Sequence, residues 1–346
     1  MNWFSIDINE DVVPGLDIEQ PEDLSKILVQ GSTGMGKEDF LTRYLEGSGH
    51  SLTVLCWVDF SRFSYSSSLI VSHSISHFIA KQNYLKSFLH NFSAGHQEYI
   101  RQMLAKCPER CTEYLDWYTQ IFIEYARFIS QTSIPVIILE NIDQLDSVQF
   151  ERLQQFIRNF IGIPLQIFYL VDPSGQFKHD VKAQQEFKLV KLSIHQAERT
   201  IREYFDTSMV NARLITNHSY LKTSGNPLRL RYILESYYGL LLKHGQQEPL
   251  NVKKMQQMRL PETWEEIFST VYRQFDKNEA QVFAFLAHLG DPMHGDDFRL
   301  LLKKRKIPQK KIPLWLRSGF LRSIIHYGDP CFSIYLSAFQ RWIKNS

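Results

Sequence analysis

A glycine-rich stretch, QGSTGMGK, ends in a lysine and has the spacing of a phosphate-binding loop. Four residues separate Gly31 from Gly36, and Lys37 follows directly. An apolar run precedes the stretch and a helical pattern follows it, which is the context that such a loop requires. Glycines let the backbone approach a ligand, the N–H groups at a helix start attract an anion, and the lysine reaches the β- and γ-phosphates. The alternative is a glycine-rich turn with an incidental lysine. We predict that these residues bind a nucleotide: Gly31, Ser32, Thr33, Gly34, Met35, Gly36, Lys37, Glu38 and Asp39.

The position after the lysine departs from the usual loop. A Ser or Thr hydroxyl normally ligates Mg²⁺ there, whereas this chain has Glu38, followed by Asp39. The Glu38 carboxylate could ligate the metal itself, but an unpaired negative charge beside the phosphates opposes binding of a triphosphate. Either the metal is bound in a changed way or the dependence on metal is weakened.

A second acidic position follows the apolar run VIIL, where Glu140 is succeeded by Asn141. A carboxylate at the end of a buried strand beside the loop would hold Mg²⁺ or its water, so Glu38 and Glu140 are the candidate metal ligands. Glu140 and Asn141 occupy the candidate catalytic positions, but an asparagine cannot act as a base. Alternatively, the strand simply leaves the sheet into a polar loop. The departures together predict a site that holds nucleotide better than it hydrolyses it.

Five short apolar runs must position these residues. The third and fourth are nearly continuous rather than alternating, as in strands buried on both faces of a parallel sheet. Helical patterns lie between the runs, so we predict an α/β fold with a phosphate-loop, parallel five-stranded core and right-handed crossovers. The runs are 26–30, 52–60, 134–140, 164–172 and 187–192.

Beyond residue 192 the strand pattern stops and helical patterns take over. Ser193 and Gln196 have the spacing of a capping box, and Gly225 and Asn226 end one helix and begin the next. Near the end, helical patterns precede two strand-like runs around the turn YGDP, which favours a winged helix. We therefore expect an N-terminal arm at 1–24, a nucleotide-binding core at 25–192, a helical lid at 193–245, a polar linker at 246–262 and a C-terminal winged-helix domain at 263–346.

The order of these motifs resembles the STAND class of signal-transduction ATPases, which is related to AAA+ proteins. The resemblance covers about residues 25–340 and rests on GSTGMGK, LCWVDFS, IILENIDQLD, LSIHQAERTIREYF and SGNPLRLRYIL. It implies ATP or ADP as the cofactor, with Mg²⁺, and a regulatory or assembly role. It also implies that Pro227 approaches the nucleotide phosphates, as the proline of that class's Gly-x-Pro element does. Members of the class hold ADP in a closed resting state and exchange it for ATP to assemble.

Two features differ from that class. The stretch YLVDPSG offers Asp172 where the class commonly has an arginine that senses the γ-phosphate. The class also usually carries an effector domain before the core or repeats after the winged helix, and this sequence shows neither. We therefore expect other protein subunits to supply the effector or sensor.

The origin-recognition and replication-initiation AAA+ proteins are similar as well, and they are the alternative. They combine a phosphate loop and a helical lid that carries an arginine with a DNA-binding winged helix, which would make Arg229 and Arg231 sensor arginines. The basic stretch FRLLLKKRKIPQKK would then neutralise DNA phosphates, with strongly salt-dependent affinity. Alternatively, this basic stretch is the solvent-exposed end of a helix and contacts no DNA. The candidate DNA contacts are Lys303, Lys304, Arg305, Lys306, Lys310 and Lys311.

The composition narrows the classes of protein further. Hydrophobic residues make up 44% and charged residues 22%, an ordinary globular mixture, and the net charge of +2 argues neither for nor against a polyanionic partner. The four cysteines lack zinc-site spacing and suit free thiols in a reducing compartment. No signal-peptide pattern is present, and the apolar runs fall short of the roughly 18 residues that span a bilayer. We expect a cytoplasmic protein without membrane contact, nuclear if the DNA-binding alternative holds. A scaffold whose loop no longer binds nucleotide is the third alternative.

Overall fold

The computed structural model divides the chain into two compact units, with the change from one to the other between Leu189 and Val190. The residues that the structure describes are 23–37, 40, 41, 44, 45, 51–60, 70–72, 75, 82–110, 112–173, 181–241, 252–257, 259–273, 275–289, 293, 294, 302–304, 325–328, 331–334, 339, 342 and 343.

Five strands form one parallel sheet in the first unit, which confirms the predicted α/β fold. They are β1 (Ser25–Gln30), β2 (Leu52–Asp59), β3 (Ile134–Glu140), β4 (Gln166–Val171) and β5 (Gln185–Lys188). Their order in the sheet is β2-β3-β4-β1-β5, and every neighbouring pair is parallel. β4 therefore lies between β1 and β3, which brings the carboxyl ends of these three strands together at one edge of the sheet.

Two apolar layers cover the sheet. In β3, Val136 and Ile138 belong to one layer, whereas Ile137 and Leu139 belong to the other. All of β4 and all of β3 except Glu140 is buried. Burial on both faces explains why these two strands read as continuous apolar runs.

Four helices with described bounds belong to the first unit: α1 (Gln82–Leu89), α2 (Ala94–Arg110), α3 (Leu115–Ser130) and α4 (Ser147–Ile157). Each contributes buried side chains to the layer that contains Ile137, so they cover that face of the sheet. Asp146 caps α4 in a capping box with Gln149. This cap fixes the start of the helix that follows β3.

The chain leaves the sheet earlier than the predicted fifth strand, 187–192, would require. The N–H of Leu189 still donates to the carbonyl oxygen of Gln30 at 2.8 Å, but the N–H of Leu192 donates to the carbonyl oxygen of Gly225 at 2.8 Å. The hydroxyl of Tyr220 donates to the carbonyl oxygen of Leu192 at 2.7 Å. These bonds bind the entry of the second unit to the turn at Gly225, so β5 ends at Lys188.

Three helices follow where a helical lid was predicted: α5 (Ile194–Phe205), α6 (Met209–Thr223) and α7 (Pro227–Leu241). Ser193 and Gln196 form the predicted capping box of α5. The side chain of Asn226 accepts the N–H of Arg229 at 3.0 Å, as expected of the residue that caps α7. The sequence thus located both helix starts.

The stretch predicted as a linker, 246–262, contains the short helix α8 (Val252–Gln256). Met255 and Leu260 are buried in the same core as α5, α6 and α7. The described part of this stretch is therefore packed on α5, α6 and α7, because Met255 and Leu260 complete their core and Val252 packs against it.

The C-terminal part of the second unit contains α9 (Trp264–Tyr272) and α10 (Lys277–Leu289). It also has a small antiparallel sheet in the order β6-β8-β7, formed by β6 (Met293–His294), β7 (Ile325–Gly328) and β8 (Cys331–Ile334). Helices with a small antiparallel sheet are what a winged helix would need. The winged helix stays a prediction because residues 305–324 lie outside the described part of the chain.

The predicted N-terminal arm is described only at Asp23 and Leu24. None of the described helices has the length and apolar character that crossing a membrane requires.

Gly225 should tolerate alanine poorly. Its φ is +72°, and an added Cβ would lie 2.6 Å from the carbonyl oxygen of Leu192. Gly162 is the matched control, because its φ is +84° and no heavy atom of the described residues lies within 4 Å of the same added atom. We expect Gly162→Ala to lower the free energy of unfolding in urea by roughly 1–2 kcal/mol, from backbone strain alone. Gly225→Ala should cost about 1–3 kcal/mol more, from the clash. Equal losses would contradict the close contact with Leu192.

Candidate nucleotide-binding site

The glycine loop connects the end of β1 to a helical segment. The N–H of Gly31 donates to the carbonyl oxygen of Val171 at 3.1 Å, which fastens the start of the loop to β4. Gly34 and Gly36 have φ values of 80° and 85°, a region that favours glycine. The described residues from Lys37 to Leu45 are helical. The backbone thus turns tightly and enters a helix at the lysine, as the motif predicts.

The lysine of the loop is held inside it. Lys37 is only 5% exposed, and its Nζ donates to the carbonyl oxygen of Gly31 at 2.6 Å. Met35 is buried, and its N–H donates to the carbonyl oxygen of Ser32 at 3.0 Å. The ammonium group is therefore held inside the loop. It has three N–H donors, and the two that do not bond to Gly31 can be donated to a ligand.

Other donors of the loop remain available to a ligand. Within the described part of the chain, the N–H groups of Gly34, Gly36 and Lys37 have no hydrogen-bond acceptor. They stand at the positive end of a helix, next to a buried cation. This donor set fits a di- or triphosphate.

The first candidate metal ligand cannot be placed, because Glu38 and Asp39 lie outside the described residues. Among the described residues, no group of three or more His, Cys, Asp or Glu side chains has a geometry suited to a metal ion. The prediction that Glu38 ligates Mg²⁺ therefore stays a prediction.

Glu140, the second candidate ligand, is engaged on the side of the sheet away from the loop. Its Oε2 accepts the indole N–H of Trp57 at 3.0 Å. Trp57 lies on β2, whereas β4 separates β3 from β1 and its loop. To contact a metal at the loop, Glu140 would have to use its other oxygen or give up the indole.

Asn141 performs a structural task. Its backbone is left-handed, with φ 56° and ψ 39°, a conformation that asparagine adopts more readily than most residues. Its side-chain amide donates to Oδ1 of Asp59 at 2.6 Å, and Asp59 is only 8% exposed. Its own N–H donates to the carbonyl oxygen of Leu170 at 2.9 Å. The amide thus donates to a buried carboxylate, which an ionised acidic residue could not do.

Asp172 stands where the STAND class commonly has an arginine, and the sequence predicted no other role for it. Its carboxylate oxygen Oδ2 accepts the N–H of Thr33 at 2.9 Å and the hydroxyl of Thr33 at 3.2 Å. The N–H of Asp172 donates to Oδ1 of Asp143 at 3.1 Å. An acidic side chain is therefore bonded directly to the glycine loop. Its position at the end of the fourth apolar run was the signal that could have revealed it.

Pro227, Arg229 and Arg231 belong to the second unit. Pro227 begins α7 and is half-buried. The guanidinium of Arg229 donates to the carbonyl oxygen of Glu262 and lies 5.3 Å above the ring centroid of Trp264, and burial lowers its pKa from the usual value. Arg231 is 7% exposed. Arg229 thus has a structural role between α7 and α9, and the sensor roles stay predictions.

Replacing Asn141 by aspartate should destabilise the protein in a pH-dependent way. Asn141→Asp would place a second carboxylate beside Asp59, and two like charges with little solvent raise the pKa of the pair. We expect the free energy of unfolding at pH 7 to fall by about 2–4 kcal/mol. The loss should shrink as the pH falls towards about 4, because the folded pair then binds a proton that the unfolded chain releases.

The neutral control is Asn141→Ser, which removes the amide without adding charge. Its loss should be about 1–3 kcal/mol and should not show the steep recovery at low pH. An Asn141→Asp variant as stable as the native chain at pH 7 would contradict the assigned contact with Asp59.

No family model matches the chain, and no curated protein matches it. Solved structures similar to it include a Signal Transduction ATPase with Numerous Domains from Pyrococcus horikoshii, which has a tetratricopeptide repeat sensor. It shares 13% identity at a TM-score of 0.48, over 92% of this chain and 40% of that one. The present chain thus spans less than half of that protein.

Two further similar structures are the ORC2 protein of Aeropyrum pernix, in ADPNP-ADP complexes, and Cdc6p of Pyrobaculum aerophilum. ORC2 shares 9% identity at a TM-score of 0.47, over 98% of this chain and 91% of its own. Cdc6p shares 12% identity at a TM-score of 0.44, over 98% and 93% of the two chains. The likeness to these structures concerns the fold alone.

Proposed function

We propose that the chain binds ADP or ATP at residues 31–37 and acts as a regulatory or assembly module of the STAND/AAA+ type. The observation that carries this proposal is the buried Lys37, fixed inside a loop whose Gly34, Gly36 and Lys37 N–H groups are available. A buried ammonium group has a desolvation cost that a phosphate chain would offset. The adenine base is taken from the resemblance to the STAND class.

Each part of the loop has a defined task in this proposal. The N–H groups of Gly34, Gly36 and Lys37 bind phosphate oxygens, and the Lys37 ammonium neutralises their charge. Mg²⁺, when bound with the nucleotide, supplies further positive charge to the phosphates. Glu38 and Glu140 are its proposed ligands, and their carboxylates would supply the oxygen atoms that Mg²⁺ prefers.

Hydrolysis is weak or absent in this proposal. Asn141 stands where a base is needed, and its amide is committed to Asp59. Glu140 is bonded to Trp57 on the neighbouring strand. Because neither of these two candidate catalytic residues can activate water in this arrangement, the bound nucleotide is held rather than consumed.

The remaining roles come from the resemblance and are part of the proposal. Pro227 would approach the nucleotide phosphates, and nucleotide exchange would alter association with other protein subunits. We place the protein in the cytoplasm, without membrane contact.

A DNA-binding subunit of the origin-recognition kind is the second candidate function. One observation favours it: Lys303 and Lys304 are exposed on a helical segment whose neighbour Leu302 is fully buried in the C-terminal core. Arg305, Lys306, Lys310 and Lys311 lie outside the described residues. An affinity for duplex DNA that falls steeply with salt and is lost in Lys303→Glu/Lys304→Glu would favour this candidate, which would place the protein in the nucleus of a eukaryote.

The test of nucleotide binding is the loss of affinity in Lys37→Ala. We expect the native chain to retain ADP or ATP through gentle purification and to bind ADP in calorimetry. Lys37→Ala should bind at least about 100-fold more weakly, because a charge-assisted contact to phosphate is lost. Lys106→Ala, which removes an exposed lysine from α2, is the control and should bind as the native chain does. A folded native chain that binds neither nucleotide would favour the scaffold alternative.

The test of hydrolysis is the release of phosphate from ATP in the presence of Mg²⁺. We expect turnover far below the value of about 1 per second at the lower end of typical enzymes. Lys37→Ala measures the background from contaminating ATPases. Turnover above that value, dependent on Mg²⁺ and lost in Lys37→Ala, would contradict the roles given to Glu140 and Asn141.

A further inference from the structure

The glycine loop has an acidic side chain as a direct neighbour. Asp172 follows β4 immediately, and its Oδ2 accepts two hydrogen bonds from Thr33, one from the backbone and one from the hydroxyl. The backbone of Asp172 is itself held by the carboxylate of Asp143. The position of the Asp172 carboxylate is thus fixed by bonds on both sides of the residue.

The carboxylate and the loop lysine are bonded to the same short segment. Nζ of Lys37 is bonded to Gly31, and Asp172 is bonded to Thr33, two residues further along the loop. The next residue, Gly34, has the first available N–H. A lysine in this position attracts the terminal phosphates of a nucleotide. Those phosphates therefore come close to the carboxylate of Asp172.

We propose that Asp172 makes this site select nucleoside diphosphates over triphosphates when no divalent cation is present. The inference rests on the proposed function, because it concerns the nucleotide that the same loop holds.

The physical reason is the extra charge of a third phosphate. A further unit of negative charge within roughly 6 Å of a carboxylate, at an effective dielectric constant of about 40, weakens binding by about tenfold. A diphosphate can satisfy the free N–H groups and Lys37 with less charge beside Asp172. Salt screens such an interaction, so the selectivity should decrease as ionic strength rises.

The experiment measures the dissociation constants of ADP and ATP by calorimetry in EDTA at low salt. The native chain should bind ADP about tenfold more tightly than ATP. In Asp172→Asn the ratio should fall to nearly one, mainly because ATP binds more tightly. The asparagine side-chain oxygen can still accept the bonds from Thr33, which preserves the loop. Glu151→Gln removes the same charge from an exposed position on α4, and its ratio should equal that of the native chain.

The outcomes separate the two proposals. If the native chain binds both nucleotides and Asp172→Asn leaves their ratio unchanged, the selectivity inference is wrong and the nucleotide site stands. If the native chain binds neither, both proposals are wrong. If Asp172→Asn fails to fold, the salt dependence of the native chain's affinities tests the inference instead. A preference for ADP that disappears between about 0.05 and 0.5 M salt supports the inference. A native preference for ATP, or one for ADP that salt does not change, overturns it.

Discussion

The pairing of β4 with both β1 and β3 is the constraint on which the candidate site depends. The loop after β1 and the loop after β3 each donate a backbone hydrogen bond to β4, from Gly31 to Val171 and from Asn141 to Leu170. Both loops are therefore held against the same strand, and Asp172 follows that strand directly. Because parallel strands end at a common edge, a shift of β4 by one residue would move Asp172 away from its two hydrogen bonds with Thr33.

Features encoded by neighbouring residues could be predicted from the sequence. The glycine loop, the five strands and the caps at Ser193 and Asn226 depend on short spacings, and the structure contains all of them. The end of β5 was misplaced because the apolar residues up to Leu192 continue the strand pattern, whereas Leu192 is bonded to Gly225. A local pattern cannot reveal a bond to a residue 33 positions away.

The chemistry of the site depends on pairs that are distant in the sequence. Trp57 and Glu140 are 83 residues apart, Asp59 and Asn141 are 82 apart, and Thr33 and Asp172 are 139 apart. In each pair, a hydrogen bond engages a carboxylate or an amide and so limits which other groups it can bind. Glu140 was expected beside the metal and is bonded towards β2, while Asp172 was not expected to have a role and contacts the loop. Only the order of the strands brings these partners together.

The helix that begins at Pro227 is buried on two sides. Leu228 and Tyr232 belong to the core of α9 and α10, whereas Leu230 and Ile233 belong to the core of α5 and α6. Close-packed interiors deform little, so α7 cannot tilt in one core without displacing side chains in the other. Mechanically, α7 therefore couples α5 and α6 to α9 and α10, and a displacement of α7 would disturb the packing of both cores.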